Sequence, residues 1–147
     1  MSGSPDPAIP EVAATEVWTA LVRDSAAQLV DVRTRAEWTY VGVPELAACA
    51  RQVILVEWQS FPSNEVDPHF ATRLREALDK LGCGRETQLF FLCRSGARSL
   101  AAAQTMATAG FLRCRNVMGG FEGQHDTNRH RGCLAGWKAA GLPWVQG

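Results

Sequence analysis

The stretch LFFLCRSGARSLAAAQ, residues 89–104, decides the fold. Its first four residues are all apolar, as is usual for a central strand of a parallel sheet covered on both faces. The strand is predicted over Thr87–Leu92. The polar, glycine-containing loop Cys93-Arg94-Ser95-Gly96-Ala97-Arg98-Ser99 follows, and then an alanine-rich helix predicted from Ser99 to Ala109. Gly110 stops that helix, and Phe111 beyond it supplies the hydrophobic contact that accompanies a glycine cap. A buried strand, a tight turn and a helix start therefore occur in immediate succession.

The same alternation extends outward. Towards the N-terminus, Asp67-Pro68 predicts a helix start, Phe70, Leu74, Leu78 and Leu81 recur at helical spacing, and Gly82 closes the helix. Gln52–Trp58 is rich in β-branched residues and reads as a strand. Gln28–Val32 reads as another, followed by a short helix that Thr34 caps and that runs through Tyr40. Glu16 to Asp24 reads as a helix with Thr15 as its cap. Towards the C-terminus, Arg115–Met118 reads as a strand, followed by a Gly119-Gly120 turn. Residues 1–12 hold three prolines and read as a disordered tail, leaving 13–147 as a single domain. Strands alternating with helices predict an α/β fold, a mainly parallel sheet of about five strands with helices on both faces.

Composition narrows the function. The 147 residues are 46% hydrophobic and 20% charged, with no net charge. This balance predicts an ordered core and gives no support for nucleic-acid or membrane-surface binding. No secretory pattern opens the chain and no long apolar run follows, so the expected location is cytoplasmic. The five cysteines, at 49, 83, 93, 114 and 133, form no Cys-x-x-Cys pair and no disulfide framework. His125, His130 and Cys133 lack a matched fourth ligand, and Arg129 and Arg131 would repel a cation, so no metal is expected.

Only one cysteine stands in a chemical setting. A strand-terminal cysteine is by default a small core hydrophobe. At Cys93, however, the loop amides have no strand partner, a helix N-terminus adds partial positive charge, and Arg94 and Arg98 add full charges. All three favour thiolate over thiol, and Gly96 lets the loop turn tightly. The expectation is a nucleophile inside a cradle for an anion.

These residues resemble the active-site loop of the rhodanese-like sulfurtransferases, in which a strand ends in cysteine, a six-residue loop begins with it and a helix follows. Leu29-Val30-Asp31-Val32-Arg33 with Glu37-Trp38, and Asn116-Val117-Met118-Gly119-Gly120-Phe121, resemble two further elements of that family in the same order. Val41-Gly42-Val43-Pro44 stands where the family usually carries a Gly-His-Ile-Pro-like stretch. The resemblance implies a three-layer rhodanese-like fold and sulfur transfer by double displacement. Cys93 would be the catalytic persulfide carrier, and Arg94, Ser95, Gly96, Ala97, Arg98 and Ser99 would bind substrate. Asp31 and Arg33 would support the site, a structural ion pair being the simpler reading of both. No cofactor is implied. The partners implied are a small sulfur donor such as thiosulfate and a cyanide or thiol acceptor, with a sulfur-accepting protein as a further candidate. Two roles stand open for the arginines, contact with the donor and bracing the loop. Cysteine-dependent phosphatases place five residues between Cys and Arg. Here four separate Cys93 from Arg98, which favours sulfur transfer over a phosphatase or arsenate reductase on the same scaffold. A non-catalytic interaction module is the remaining alternative, disfavoured by the presence of Cys93.

Overall fold

The computed structural model describes residues 7–60, 63–124, 127–131 and 135–146. Its main sheet has five strands: β1 (Glu11–Val12), β2 (Gln28–Asp31), β4 (Ile54–Leu55), β5 (Leu89–Leu92) and β6 (Cys114–Val117), in the order β1-β6-β5-β2-β4. Every pairing in this sheet is parallel. A second, antiparallel pair joins β3 (Val43–Pro44) to β7 (Trp144–Val145). The helices are α1 (Ala14–Arg23), α2 (Arg35–Tyr40), α3 (Phe70–Lys80), α4 (Ala97–Thr108) and α5 (Gly136–Ala139).

The alternation of side chains along β5 explains the three layers. Leu89 and Phe91 point to a core shared with Phe70, Leu74 and Leu78 of α3 and Ala102, Ala103 and Met106 of α4. Phe90 and Leu92 point to the other core, with Val17 and Leu21 of α1 and Trp137 of α5. A strand buried on both faces must be apolar at every position, as this one is. Both α3 and α4 end in the two bonds of a Schellman motif. In α3, the amides of Gly82 and Cys83 donate to the carbonyls of Asp79 and Leu78, and in α4 those of Gly110 and Phe111 donate to Ala107 and Met106.

Several elements differ from expectation. Glu11–Val12 leaves the predicted tail and pairs with β6, held by backbone bonds from Asn116 to the Pro10 carbonyl and from Met118 to the Val12 carbonyl and by the Asn116 side chain on Glu11. Thr15 lies inside α1, and Ala13 takes the capping position without a side-chain bond. Asp67-Pro68 forms a turn ahead of α3, with the Asp67 carboxylate accepting from the His69 amide at 2.9 Å, so the helix begins at Phe70. The strand expected over Gln52–Trp58 shortens to Ile54–Leu55, although backbone bonds from Val56 to Asp31 and from Trp58 to Val32 continue the contact beyond it. Helix α4 begins two residues before Ser99, on Gly96.

Candidate active site

Chain direction places the site at the carboxyl ends of β2 and β5. Chain leaving β2 moves towards β4, and chain leaving β5 moves towards β6 on the opposite side. A crevice opens between such strands, and ligands of open α/β sheets bind there. The two segments that meet across it are Asp31–Tyr40 and Cys93–Ser99.

Cys93 is the first residue past β5. Its Sγ accepts a hydrogen bond from the Gly96 amide at 3.1 Å, and the Ser99 hydroxyl lies 3.2 Å from it. Gly96 adopts φ +123°, the conformation that turns its amide back onto the sulfur. The amides of Ala97, Arg98 and Ser99 open α4 and have no carbonyl one turn behind them within the helix. Cys93 is 1% exposed and packs against the α3/α4 core, so the side chain is buried.

The loop is held from below. The carbonyl of Cys93 accepts from the Phe121 amide at 2.7 Å, and that of Arg94 accepts from Glu122 at 3.0 Å and Gly123 at 3.1 Å. Gly120 presses against this backbone, since a Cβ built there would stand 2.4 Å from the Cys93 carbonyl oxygen. The C-terminal segment supports this turn in its place. Trp137 and Lys138 of α5 donate backbone bonds to the carbonyls of Gly120 and Phe121. The final stretch therefore braces the turn that carries the loop.

The predicted charged residues can be placed. Arg33 and Asp31 are both wholly buried and form a tight pair, Nη2 to Oδ2 at 2.7 Å and Nε to Oδ1 at 3.0 Å. Arg33 also donates to the Gly42 carbonyl at 2.7 Å, and its guanidinium stacks 4.3 Å from the Phe121 ring. The pair is structural, tying β2, the start of β3 and the turn beneath Cys93 together. Arg98 reaches back to α2 and grips Glu37 with both terminal nitrogens, at 2.6 and 2.9 Å. That hydrogen bond holds the Arg98 guanidinium above its usual range despite burial, with smaller support from Cys93 and Asp31. Burial pushes the Glu37 carboxyl up, but Arg98 and Thr34 together pull it below the usual carboxylate range. Arg94 is exposed and makes no ion pair among the described residues.

Glu37 and Asn116 carry more of the site than sequence reasoning gave them. Glu37 forms a reciprocal capping box with Thr34 before it pairs with Arg98. Asn116, on β6, accepts from the Ser99 hydroxyl at 2.5 Å. Its amide nitrogen donates to Glu11 at 2.9 Å and to the Gly96 carbonyl at 3.0 Å. One threonine-to-glutamate spacing signalled the cap. Nothing in the sequence signalled the partners 61 and 17 positions away.

An open cavity of about 570 Å³ lies across the crevice, lined by Thr34, Ala36, Glu37, Tyr40, Val41, Gln59, Asn64, Arg94 and Arg98. Among the described residues, no group of three potential ligands gathers to hold a metal, and His125 and Cys133 lie outside them. No helix among the described residues is long and apolar enough to cross a membrane.

A family model described as STR4 middle domain matches residues 10–147. An uncharacterized protein of Rickettsia prowazekii is 35% identical over 136 residues, covering 92% of this chain and 97% of that protein. The chloroplastic rhodanese-like domain-containing protein 4 of Arabidopsis thaliana is 26% identical over 133 residues, which span 90% of this chain and 25% of that protein. Among solved structures, the crystal structure of Rv0390 from M. tuberculosis superposes with a TM-score of 0.85 at 40% identity, covering 96% of this chain and all of that one. The polysulfide-sulfur transferase homodimer of Wolinella succinogenes superposes with a TM-score of 0.58 at 20% identity, covering 95% of this chain and 80% of that one, a likeness of fold.

Proposed function

The chain belongs to the STR4 middle domain family and has a rhodanese-like fold, and from that premise we propose that it is a sulfurtransferase carrying sulfane sulfur as a Cys93 persulfide. The observation that carries the reading is the Gly96 amide aimed at Cys93 Sγ from 3.1 Å, in a Cys93–Gly96 turn that runs straight into α4.

The chemistry needs little else. Cys93 thiolate attacks the outer sulfur of thiosulfate. The sulfur–sulfur bond breaks, and sulfite departs with the electron pair. The terminal sulfur of the Cys93 persulfide is negatively charged. The Gly96 amide and the free amides at the start of α4 are donors of the kind that stabilise such a charge. Cyanide or a thiol then attacks that sulfur, and Cys93 leaves as thiolate. The attacking cyanide or thiolate and the departing sulfite are already anions, so no general base has to sit beside Cys93. Cys93 is 1% exposed, so donor access requires a local opening around the sulfur while the Arg94 carbonyl stays held by Glu122 and Gly123. Arg94, exposed and without an ion-pair partner among the described residues, is the cation that meets it.

Cyanolysis tests the reading. Incubation with cyanide and either thiosulfate or an organic thiosulfonate is expected to yield thiocyanate. Cys93→Ser abolishes it and Cys83→Ser retains it. Equal loss in both variants would remove Cys93 from the role.

A further inference from the structure

The cavity in front of the loop carries information about the donor. Among the described residues, three charged ones line it, Glu37, Arg94 and Arg98. Glu37 and Arg98 neutralise one another through two hydrogen bonds, so the walls retain one net positive charge, on Arg94. The other described lining residues are uncharged: Ala36, Tyr40 and Val41 give an apolar wall, and Thr34, Gln59 and Asn64 give hydrogen-bonding groups. A volume of about 570 Å³ lies in the range that holds organic ligands of drug size, far beyond an inorganic anion of a few atoms. Tyr40 is 76% exposed, an aromatic surface available to a ligand's apolar body.

We propose that Glu37 is a specificity-determining residue: by engaging Arg98 it leaves one positive charge in the cavity, which thereby selects a singly charged organic sulfur donor over a dianion such as thiosulfate. The inference rests on the sulfurtransferase reading and specifies its substrate class. For a thiosulfonate donor, the Cys93 thiolate bonds to the sulfane sulfur as the sulfur–sulfur bond breaks, and the sulfinate leaves with the electron pair. Cys93 persulfide is the product, and no oxidant or reductant is consumed.

The probes are thiosulfate, methanethiosulfonate and benzenethiosulfonate, each with cyanide as acceptor. The first is a dianion. The other two are monoanions that differ in apolar body. Comparing each variant with the wild-type protein cancels intrinsic donor reactivity. Glu37→Gln removes the charge while keeping a side chain able to complete the capping box with Thr34. It is expected to raise the ratio of kcat/KM for thiosulfate to that for methanethiosulfonate about two- to ten-fold, the scale of freeing one partly buried cation. A purely structural role for Glu37 would depress all three donors together. Tyr40→Ala is expected to raise KM for benzenethiosulfonate at least three-fold more than for methanethiosulfonate. As a second measurement, sulfate should inhibit Glu37→Gln more tightly than wild type against methanethiosulfonate. An unchanged or lowered thiosulfate ratio, with no tighter sulfate inhibition, would overturn the proposal and leave sulfur transfer standing. Absence of thiocyanate from all three donors in the wild-type protein would overturn the sulfurtransferase reading itself.

Discussion

Gly120 offers the sharpest perturbation of the loop's support. Its backbone stands at φ +61°, and a Cβ there would lie 2.4 Å from the Cys93 carbonyl oxygen and 2.7 Å from the Arg94 carbonyl carbon. Those are backbone atoms, and they cannot swing away. Gly82 provides the control, because it has φ +74° and nothing within 4 Å of its Cβ position. Alanine at either glycine meets the left-handed backbone cost, about 1–2 kcal/mol. Alanine at Gly120 adds overpacking, about 1–3 kcal/mol more. The expected totals are about 1–2 kcal/mol for Gly82→Ala and about 2–5 kcal/mol for Gly120→Ala. In a chain of this size that corresponds to melting-temperature losses of about 2–8 °C and about 4–20 °C. Urea denaturation followed by tryptophan fluorescence reads both variants, since the chain has five tryptophans. Below the melting transition, Gly120→Ala should also lose most thiocyanate formation, because relief of the overlap moves the Cys93 carbonyl and the loop with it. Equal destabilisation by the two alanines would refute the close approach of the turn to the loop.

Other consequences follow from the same geometry. Arg33→Ala leaves the wholly buried Asp31 carboxylate unpaired, and the expected cost is about 3–5 kcal/mol by urea denaturation. The double variant Asp31→Leu/Arg33→Met should cost less than that single one, and a larger loss would discredit the isolated-pair account. Burial pushes the Cys114 thiol up to about 11, so at pH 8 it should resist iodoacetamide in the folded protein and react once urea is added. Labelling of native Cys114 as fast as that of half-buried Cys83 would contradict it. Glu37 lies below the usual carboxylate range in the folded chain, so its contribution to stability is complete above the unfolded value of about 4.3 and is lost as pH falls through the lower folded one. Glu37→Gln should therefore flatten the fall in stability below about pH 4.5, and an unaltered acid limb would remove the Glu37–Arg98 pair as its cause.

What could be read in advance follows from which forces are local. β5 is wholly apolar and β2 has an apolar Leu29-Val30 centre, so composition marks both; β6 is half polar and is marked instead by the glycine turn that follows it, and the ends of all three shifted by only a residue or two. Thr34 and Glu37 sit three apart, so their capping box is written in the sequence. Asp31 and Arg33 are two apart at a strand end, so a structural pair was foreseeable. The two-residue strands β1, β3 and β7 carry no such mark. β3 contains a proline, and β3 and β7 exist because each finds the other across a hundred residues of chain. The grip of Arg98 on Glu37 and the contact of Ser99 with Asn116 are likewise products of the sheet order. That order brings the ends of β2, β5 and β6 together. Cys93 was legible because a strand, a glycine turn and a helix start are contiguous. The charge state of its cavity was not, because the neutralising partner comes from another element.

The most direct test of persulfide transfer is the intact mass of the protein after exposure to a sulfane donor, followed by peptide mapping. A gain of about 32 Da on the Cys93 peptide, reversed by cyanide and missing from Cys93→Ser, is the predicted result. No gain with any donor, or the same gain in Cys93→Ser, would contradict the account.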